Sequence, residues 1–434
     1  MKINTVTVIG ANGTMGRNVA GIFASFGNAK VYMVCRRLVD AKEAKMKAAI
    51  SVRAEAINKN LIPKIYDELR ECIMDSDLIF ESVTESFEVK KYIYKLISDF
   101  VKEGTIIGTG TSGLSINKLS QSFSAKNKKF FLGIHMYNPP YNMTLCEVVP
   151  SEMTEKEVII KVKDYLKNVL YREVVEVKDE PAFMGNRIGF QFINEALQCA
   201  EKYKMKGGID YIDAILGGFT GRSMPPLVTG DFVGLDVHKA IVDNIYENTN
   251  DYEHLTFILP DFAQKLIDEN KLGSKSGEGL YKKTIKKDGQ KIFDVFDIYT
   301  QEYRPIRKYK FEFVQKVRKN LLKGNYKSAM DCLINDTSKE ADICMQLLIK
   351  YVLYGIYITK KVGEDIHSVD HVMATGFGWI PPLALIDAIN CVSSFEKEVR
   401  KKMPKEFLET INLEYLLKDI EKSTYDYRPF FKAK

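Results

Sequence analysis

Residues 6–10 are a short apolar run that meets a glycine-rich turn, Gly10-Ala11-Asn12-Gly13-Thr14-Met15-Gly16, and a helical pattern follows at once. A strand that turns this sharply into a helix needs glycines where backbone passes close to backbone. The turn leaves N–H groups at the helix N-terminus facing outward with a partial positive charge, which suits a phosphate group. A strand before the turn and a helix after it make this the opening of a βαβ unit. The helix is predicted over residues 14–26, ending at Gly27, with the next strand over 30–35.

Further strands are predicted over 78–82, 105–110, 130–137 and 172–177, with helices over 41–58 and 87–101 between them. That alternation implies a mostly parallel sheet covered on both faces. After Pro181 the pattern changes to long amphipathic helices, beginning with one over 185–206. The fold class expected is therefore an α/β Rossmann-type N-terminal domain followed by two repeated all-α domains. The expected limits are residues 1–181, 182–281, a charged connector over 282–310 (KKTIKKDGQK), and 311–434. The repeat shows as Pro225-Pro226-Leu227 and Asp231 against Pro381-Pro382-Leu383 and Asp387, at one offset of 381 − 225 = 387 − 231 = 156. Upstream, Ile209-Asp210 and Gly218-Phe219 are matched with Val369-Asp370 and Gly376-Phe377.

At 434 residues the chain exceeds the size of one hydrophobic core. Lysine plus arginine number 63 against 57 acidic residues, and this +6 is too diffuse to argue for nucleic acid. The seven cysteines (Cys35, Cys72, Cys146, Cys199, Cys332, Cys344, Cys391) form no CxxC pair. Their odd number argues against a disulfide framework or metal site and for a reducing, cytoplasmic setting. The start of the chain carries no signal-peptide core, and the apolar stretch 344–359, broken by Gln346 and Lys350, reads as a core helix with no membrane insertion.

Gly10, Asn12, Gly13, Thr14, Met15 and Gly16 are the candidate phosphate-binding residues of a dinucleotide site. The spacing GxxGxxG reads as a GxGxxG turn with Asn12 inserted. An acidic residue that would take the adenosine ribose is expected at the end of the second strand, but Cys35-Arg36-Arg37 stands there. Arg36 is suited to a 2′-phosphate, so NAD or NADP is expected, with NADP favoured. His135 lies near a predicted strand end, and Glu147 follows twelve residues later. A carboxylate on one imidazole nitrogen fixes the tautomer and leaves the other nitrogen to take a proton. Ser112, at another strand end, is a helix cap or a polar contact for a ligand. Asn186, opening the long helix, is a cap or a side chain that reaches across the domain crevice.

These segments resemble L-3-hydroxyacyl-CoA dehydrogenases. The carrying motifs are VIGANGTMG, LIFESVTESFEVKK, TGTSGLS, LGIHMYNPP, LCEVVP, FMGNRIG, GDFVGLD and LGSKSGEGLYKK, in order over residues 3–281. The TSGLS form and the second copy, GFGWIPPLALIDAI, are most similar to the dehydrogenase part of bacterial and archaeal multifunctional fatty-acid oxidation proteins. Their hydratase module is not visible, so hydration is not expected. The resemblance implies reversible oxidation of (3S)-3-hydroxyacyl-CoA to 3-oxoacyl-CoA. It makes His135 the general base paired with Glu147, gives Ser112 and Asn186 to the substrate oxygen, and sets Glu85 and Lys90 beside the nicotinamide ribose. It implies an acyl-CoA substrate and a monomer or weak homodimer. Three positions depart from the family on the cofactor side: the extra loop residue, Cys35 for the ribose acid, and Gly110 for an asparagine. Oxidation of a free hydroxy acid, or dinucleotide binding without catalysis, are the alternative readings.

Overall fold

The computed structural model describes residues 2–285 and 291–433 and divides into two units. The first comprises Met1–Phe183 with Val362–Glu364, and the second Met184–Lys361 with Asp365–Lys434.

The first unit is built in the order β1 (Thr5–Ile9), α1 (Thr14–Ser25), β2 (Lys30–Cys35), α2 (Leu38–Ser51), β3 (Leu61–Ile65), α3 (Leu69–Asp75), β4 (Leu78–Glu81), α4 (Phe87–Phe100) and β5 (Ile106–Thr109). It continues with α5 (Ile116–Ser120), α6 (Ala125–Lys128), β6 (Phe131–Met136), β7 (Leu145–Pro150), α7 (Lys156–Asn168) and β8 (Glu173–Glu176). One sheet runs β3-β2-β1-β4-β5-β6-β7-β8. All its pairs are parallel except β6 with β7. The core holds Val6 and Val8 of β1, Val19 and Phe23 of α1, and Val162 and Leu166 of α7.

Two strands escape the sequence pattern. In β3, Pro63 interrupts the apolar run, and the strand sits at the sheet edge, where a missing N–H costs nothing. β7 follows a loop too long for a hairpin signal, and its partner is recognisable only in three dimensions. The helix expected over 41–58 runs from Leu38 to Ser51 and gives way to a 3₁₀ turn at Glu55–Lys59.

The second unit is largely helical. It contains α8 (Gly185–Lys202), α9 (Ile209–Ile215), α10 (Pro226–Val233), α11 (Leu235–Asn248), α12 (Asp261–Asp268), α13 (Glu312–Leu322), α14 (Tyr326–Ile334), α15 (Lys339–Val362), α16 (Ser368–Val372) and α17 (Pro382–Asn390). The segment expected as a bare connector carries an antiparallel sheet instead, formed by β9 (Tyr281–Ile285), β10 (Lys291–Asp297) and β11 (Glu302–Pro305). Lysines in β9 and at the start of β10 mask the alternation that buries Val295, and surface lysines suit short exposed strands. Residues 286–290 of the lysine-rich run lie outside the described residues. Helix α15 is long and apolar enough to cross a bilayer, but 78% of its most apolar window is buried within the protein.

The two proline-pair segments make parallel hydrogen bonds. Asp213 accepts from the Leu227 N–H at 2.9 Å, and Asp370 accepts from the Leu383 N–H at 2.8 Å. Each aspartate also takes a hydroxyl from a later segment, Tyr281 at 2.7 Å and Ser423 at 2.5 Å. Asp231 and Asp387 then hold backbone N–H groups of those same later segments, at Leu280 and Ser423. Contacts thus match Asp370 with Asp213, not with Asp210 as the sequence register had it. Asp210 binds Arg304 through two hydrogen bonds of 2.8 Å.

Burial pushes Asp213 up to about 7 and Asp370 up to about 6. Each therefore favours the folded state most when protonated. That contribution is complete below the unfolded carboxylate value and is lost as pH rises through the folded one. Buried His238, pushed down to about 3, acts in the opposite sense over much of the same range. Comparison with Asp213→Asn therefore isolates the carboxylate. The stability of this variant relative to the natural chain should rise between about pH 4 and pH 7, by on the order of a few kcal/mol. Urea unfolding of both proteins across that range measures it.

Candidate active site

The turn after β1 has the geometry its glycines predict. Gly10 has φ +81°, and a Cβ there would meet the Ser82 carbonyl oxygen at 2.5 Å. A Cβ on Gly16 would lie 2.4 Å from the Gly10 oxygen, so α1 packs directly on the turn. Gly13 is the N-cap of α1 and supplies no side-chain hydrogen bond, leaving the first-turn N–H groups of Thr14, Met15 and Gly16 to an anion. This cradle fits the pyrophosphate of a dinucleotide.

Beside it, Asn12, Arg36, Arg37, Asp40, Glu43, Ala44 and Lys47 line a cavity of about 530 Å³. Cys35 stands at the end of β2, where a ribose acid is expected, and burial pushes its thiol up to about 11. Arg37 forks onto Asp40 at 2.8 and 2.6 Å. Arg36 is exposed and makes no ion pair among the described residues. Asp40 escaped the sequence reading because it sits in the first turn of α2, not at the strand end. An acid three residues after an arginine, at the start of a helix, was the available signal.

A second cluster lies under the ends of β4 and β5. Lys90 of α4 is 1% exposed, and its ammonium sits between Glu81 Oε1 at 2.8 Å and Glu85 Oε2 at 3.3 Å. Glu81 also accepts the Val83 N–H at 2.7 Å, the Thr109 hydroxyl at 2.8 Å and the Tyr94 hydroxyl at 2.5 Å. Burial and the adjacent Glu81 carboxylate push the Tyr94 phenol well up, so it stays a donor. Glu85 in turn accepts the Ser112 N–H at 2.8 Å and the Thr111 hydroxyl at 2.5 Å. Lys90 thus reaches the loop carrying Ser112 through Glu85. Sequence reasoning missed Glu81, although a carboxylate ending the buried run LIFE was a signal for it. Ser112 is not a helix cap, since Ser115 caps α5. At Gly110 a Cβ would meet Phe80 Cζ at 2.8 Å, so Phe80 fills the room an asparagine side chain needs.

The third cluster rests on the antiparallel pair. His135 and Glu147 lie directly opposite each other on β6 and β7. His135 Nδ1 is 2.7 Å from Glu147 Oε2, with both side chains buried. The imidazole rests against the rings of Tyr137 and Phe183, at 4.6 and 5.6 Å. A carboxylate on Nδ1 holds the proton there and leaves the Nε2 lone pair as a base. Asn186 is buried in the second residue of α8, in the second unit, and Met184 holds the cap position.

A glycine turn that opens a βαβ unit on a parallel sheet is the arrangement of a dinucleotide-binding domain, here with a buried His–Glu pair near a strand end. Residues 5–180 match the family model of the 3-hydroxyacyl-CoA dehydrogenase NAD binding domain, and residues 183–283 match that of the 3-hydroxyacyl-CoA dehydrogenase C-terminal domain. The chain belongs to the 3-hydroxyacyl-CoA dehydrogenase family. It is 30% identical to a probable 3-hydroxyacyl-CoA dehydrogenase of Bacillus subtilis over 83% of this chain and 45% of that one. It is 32% identical to the mitochondrial hydroxyacyl-coenzyme A dehydrogenase of Sus scrofa over 64% of this chain and 91% of that one. The chain spans about half the length of the longer curated relatives it matches. The fold is that of a 3-hydroxybutyryl-CoA dehydrogenase structure from Escherichia coli, with TM-score 0.68, 21% identity, and coverage of 98% of this chain and 97% of the other.

Glu81→Ala should leave the Lys90 ammonium buried with only its longer contact to Glu85. Removing one partner of a buried pair costs about 3 kcal/mol. The expected result is a lower urea midpoint, with Glu81→Gln falling less because it keeps an acceptor.

Proposed function

We propose that this chain interconverts (3S)-3-hydroxyacyl-CoA and 3-oxoacyl-CoA with a nicotinamide dinucleotide. The observation that carries the reading is the 2.7 Å contact between His135 Nδ1 and Glu147 Oε2 in a domain of this family. In the oxidation direction, His135 Nε2 takes the C3 hydroxyl proton. Glu147 holds the Nδ1 proton and stabilises the imidazolium that forms. Ser112 and Asn186 hydrogen-bond the substrate oxygen and fix its direction. A nicotinamide dinucleotide, when bound, would supply the acceptor for the hydride of C3, so that loss of the hydroxyl proton to His135 and of the hydride together would leave a ketone. The backbone from Gly10 to Gly16 would hold the pyrophosphate. Glu85, with Lys90 behind it, orders the loop on the nicotinamide side.

For the adenosine end the proposal is NADP(H). Arg37 is engaged by Asp40, and Arg36 lines the same cavity with no ion pair among the described residues. A guanidinium there suits a 2′-phosphate. The remaining proposals are a cytoplasmic protein without membrane insertion or nucleic-acid partner, and a monomer or weak dimer. In support of the last, the second unit packs its two helical segments on each other, with Phe192 of α8 against Tyr351 of α15 and Trp379 at 5.5 and 5.6 Å. Domain limits of 1–181, 182–281 and 311–434 belong to the same reading.

Absorbance-followed oxidation of NADH and NADPH with acetoacetyl-CoA tests the reaction. His135→Gln should lower kcat by roughly 10²–10⁴-fold with dinucleotide binding retained. Turnover with free 3-oxo acids but not their CoA esters would replace the substrate class. Binding without any turnover would favour the non-catalytic reading. Arg36→Ala should raise KM for NADPH more than for NADH, and equal effects on both would sink the phosphate assignment. A tight dimer in light scattering would overturn the assembly proposal.

A further inference from the structure

Tyr137 follows the last residue of β6, in the segment IHMYNPP. Side chains two apart on an extended strand share a face, which sets Tyr137 beside His135. The residue is buried, and its ring lies against the imidazole at a centroid distance of 4.6 Å and an angle of 55°. Its hydroxyl donates to Glu147 Oε2 at 2.9 Å, the same oxygen that meets His135 Nδ1 at 2.7 Å. One carboxylate oxygen therefore serves two donors, a neutral phenol and the imidazole.

Two donors on one buried oxygen compete for its charge. Each hydrogen bond stabilises the carboxylate and reduces what it offers to the other donor. The phenol also holds Oε2 in place through the cycle, since its hydrogen bond does not depend on whether His135 has taken a proton.

Charged and polar groups on the neighbouring strand are placed by the register. Glu173 of β8 shares the face of the sheet that carries Glu147 and pairs in register with Leu145. Cys146 points to the opposite face, where Arg172 lies close enough to act on it. Phe183, on the other side of the imidazole, is apolar.

We propose that Tyr137 is a positioning residue that sets the orientation and basicity of His135 by sharing the Glu147 oxygen. The inference rests on His135 being the base of the proposed reaction. It makes the proton-handling unit a His–Glu–Tyr triad rather than a pair.

Tyr137→Phe keeps the ring and removes only the hydroxyl. With the phenol gone, Glu147 draws more strongly on the imidazolium, which then persists to higher pH. The acid limb of log kcat/KM for hydroxyacyl-CoA oxidation should move up by about half a unit to one unit, a three- to tenfold gain in proton affinity. A second readout needs no turnover. The His135 C2-proton resonance, assigned by its loss in His135→Gln, should titrate at correspondingly higher pH in the variant. Tyr137→Leu, which removes ring and hydroxyl together, should move the limb the same way and also lower kcat.

If the natural chain turns over and Tyr137→Phe shows an unmoved limb and an unmoved resonance, the inference is overturned. The same holds if Tyr137→Leu loses stability while its limb stays in place. If the natural chain shows no turnover but the resonance moves in Tyr137→Phe, the triad stands and the proposed reaction falls.

Discussion

The chain reversal over residues 137–144 turns β7 antiparallel to β6, and the candidate chemistry hangs on that reversal. It sets His135 opposite Glu147 in register and buries both. A carboxylate with no exposure is tolerable only when hydrogen-bonded, and Glu147 meets that demand with His135 Nδ1 and the Tyr137 hydroxyl among its partners. The same carboxylate that must be satisfied also gives the imidazole its direction, by holding Nδ1 at 2.7 Å. In a parallel sheet, carboxyl ends of strands fall on one edge, so the glycine turn after β1, Glu81 of β4 and the Ser112 loop after β5 share that edge.

The cluster of Glu81, Lys90, Glu85, Tyr94 and Thr109 is a second buried ionic assembly, and it ties one helix and two strand ends into one support. Lys90 comes from α4, Glu81 from β4 and Thr109 from β5, so the network fixes the helix against two strand ends. Glu85 carries that order outward to the backbone of Ser112. Phe80 occupies the space beside Gly110, which reconciles the missing asparagine with a filled interior. Of the three departures from the family motif, this one has a neighbour that accounts for its shape.

The second unit solves a different problem, the joining of two similar helical segments. Asp213 and Asp370 each bind a helix N-terminal N–H and a hydroxyl from a later segment, so the same clasp is used twice. Between the segments, Arg222 is fully buried and stacks on Phe192, Tyr351 and Trp379 at 3.9, 4.7 and 4.7 Å. Burial pushes its guanidinium down to about 10, and the aromatic faces offset part of that cost. Arg187 and Asp251 of the first segment meet Tyr354 of the second in a buried hydrogen-bonded group.

Local pattern determined a good deal. The glycine turn, the alternation of β1, β2, β4, β5 and β6 with helices, the long helices after Pro181 and the proline-pair repeat are all legible because each is encoded within a few residues. His135 and Glu147 could be nominated from residue type and strand position. Tertiary structure decided what depends on residues distant in sequence. Edge strand β3 hides behind Pro63, and the sheet β9–β11 hides among lysines, because pairing energy comes from neighbours that periodicity does not show. Asp40 lines the cavity beside the glycine turn, Glu81 becomes the buried anchor of Lys90, and Asp213 replaces Asp210 in the repeat. The last two follow from hydrogen bonds between separate elements, and the first from the packing of α2 beside the glycine turn. Tyr137 is the plainest case. In sequence it is one aromatic residue after a strand, and only the antiparallel register brings its hydroxyl to the oxygen that His135 also uses.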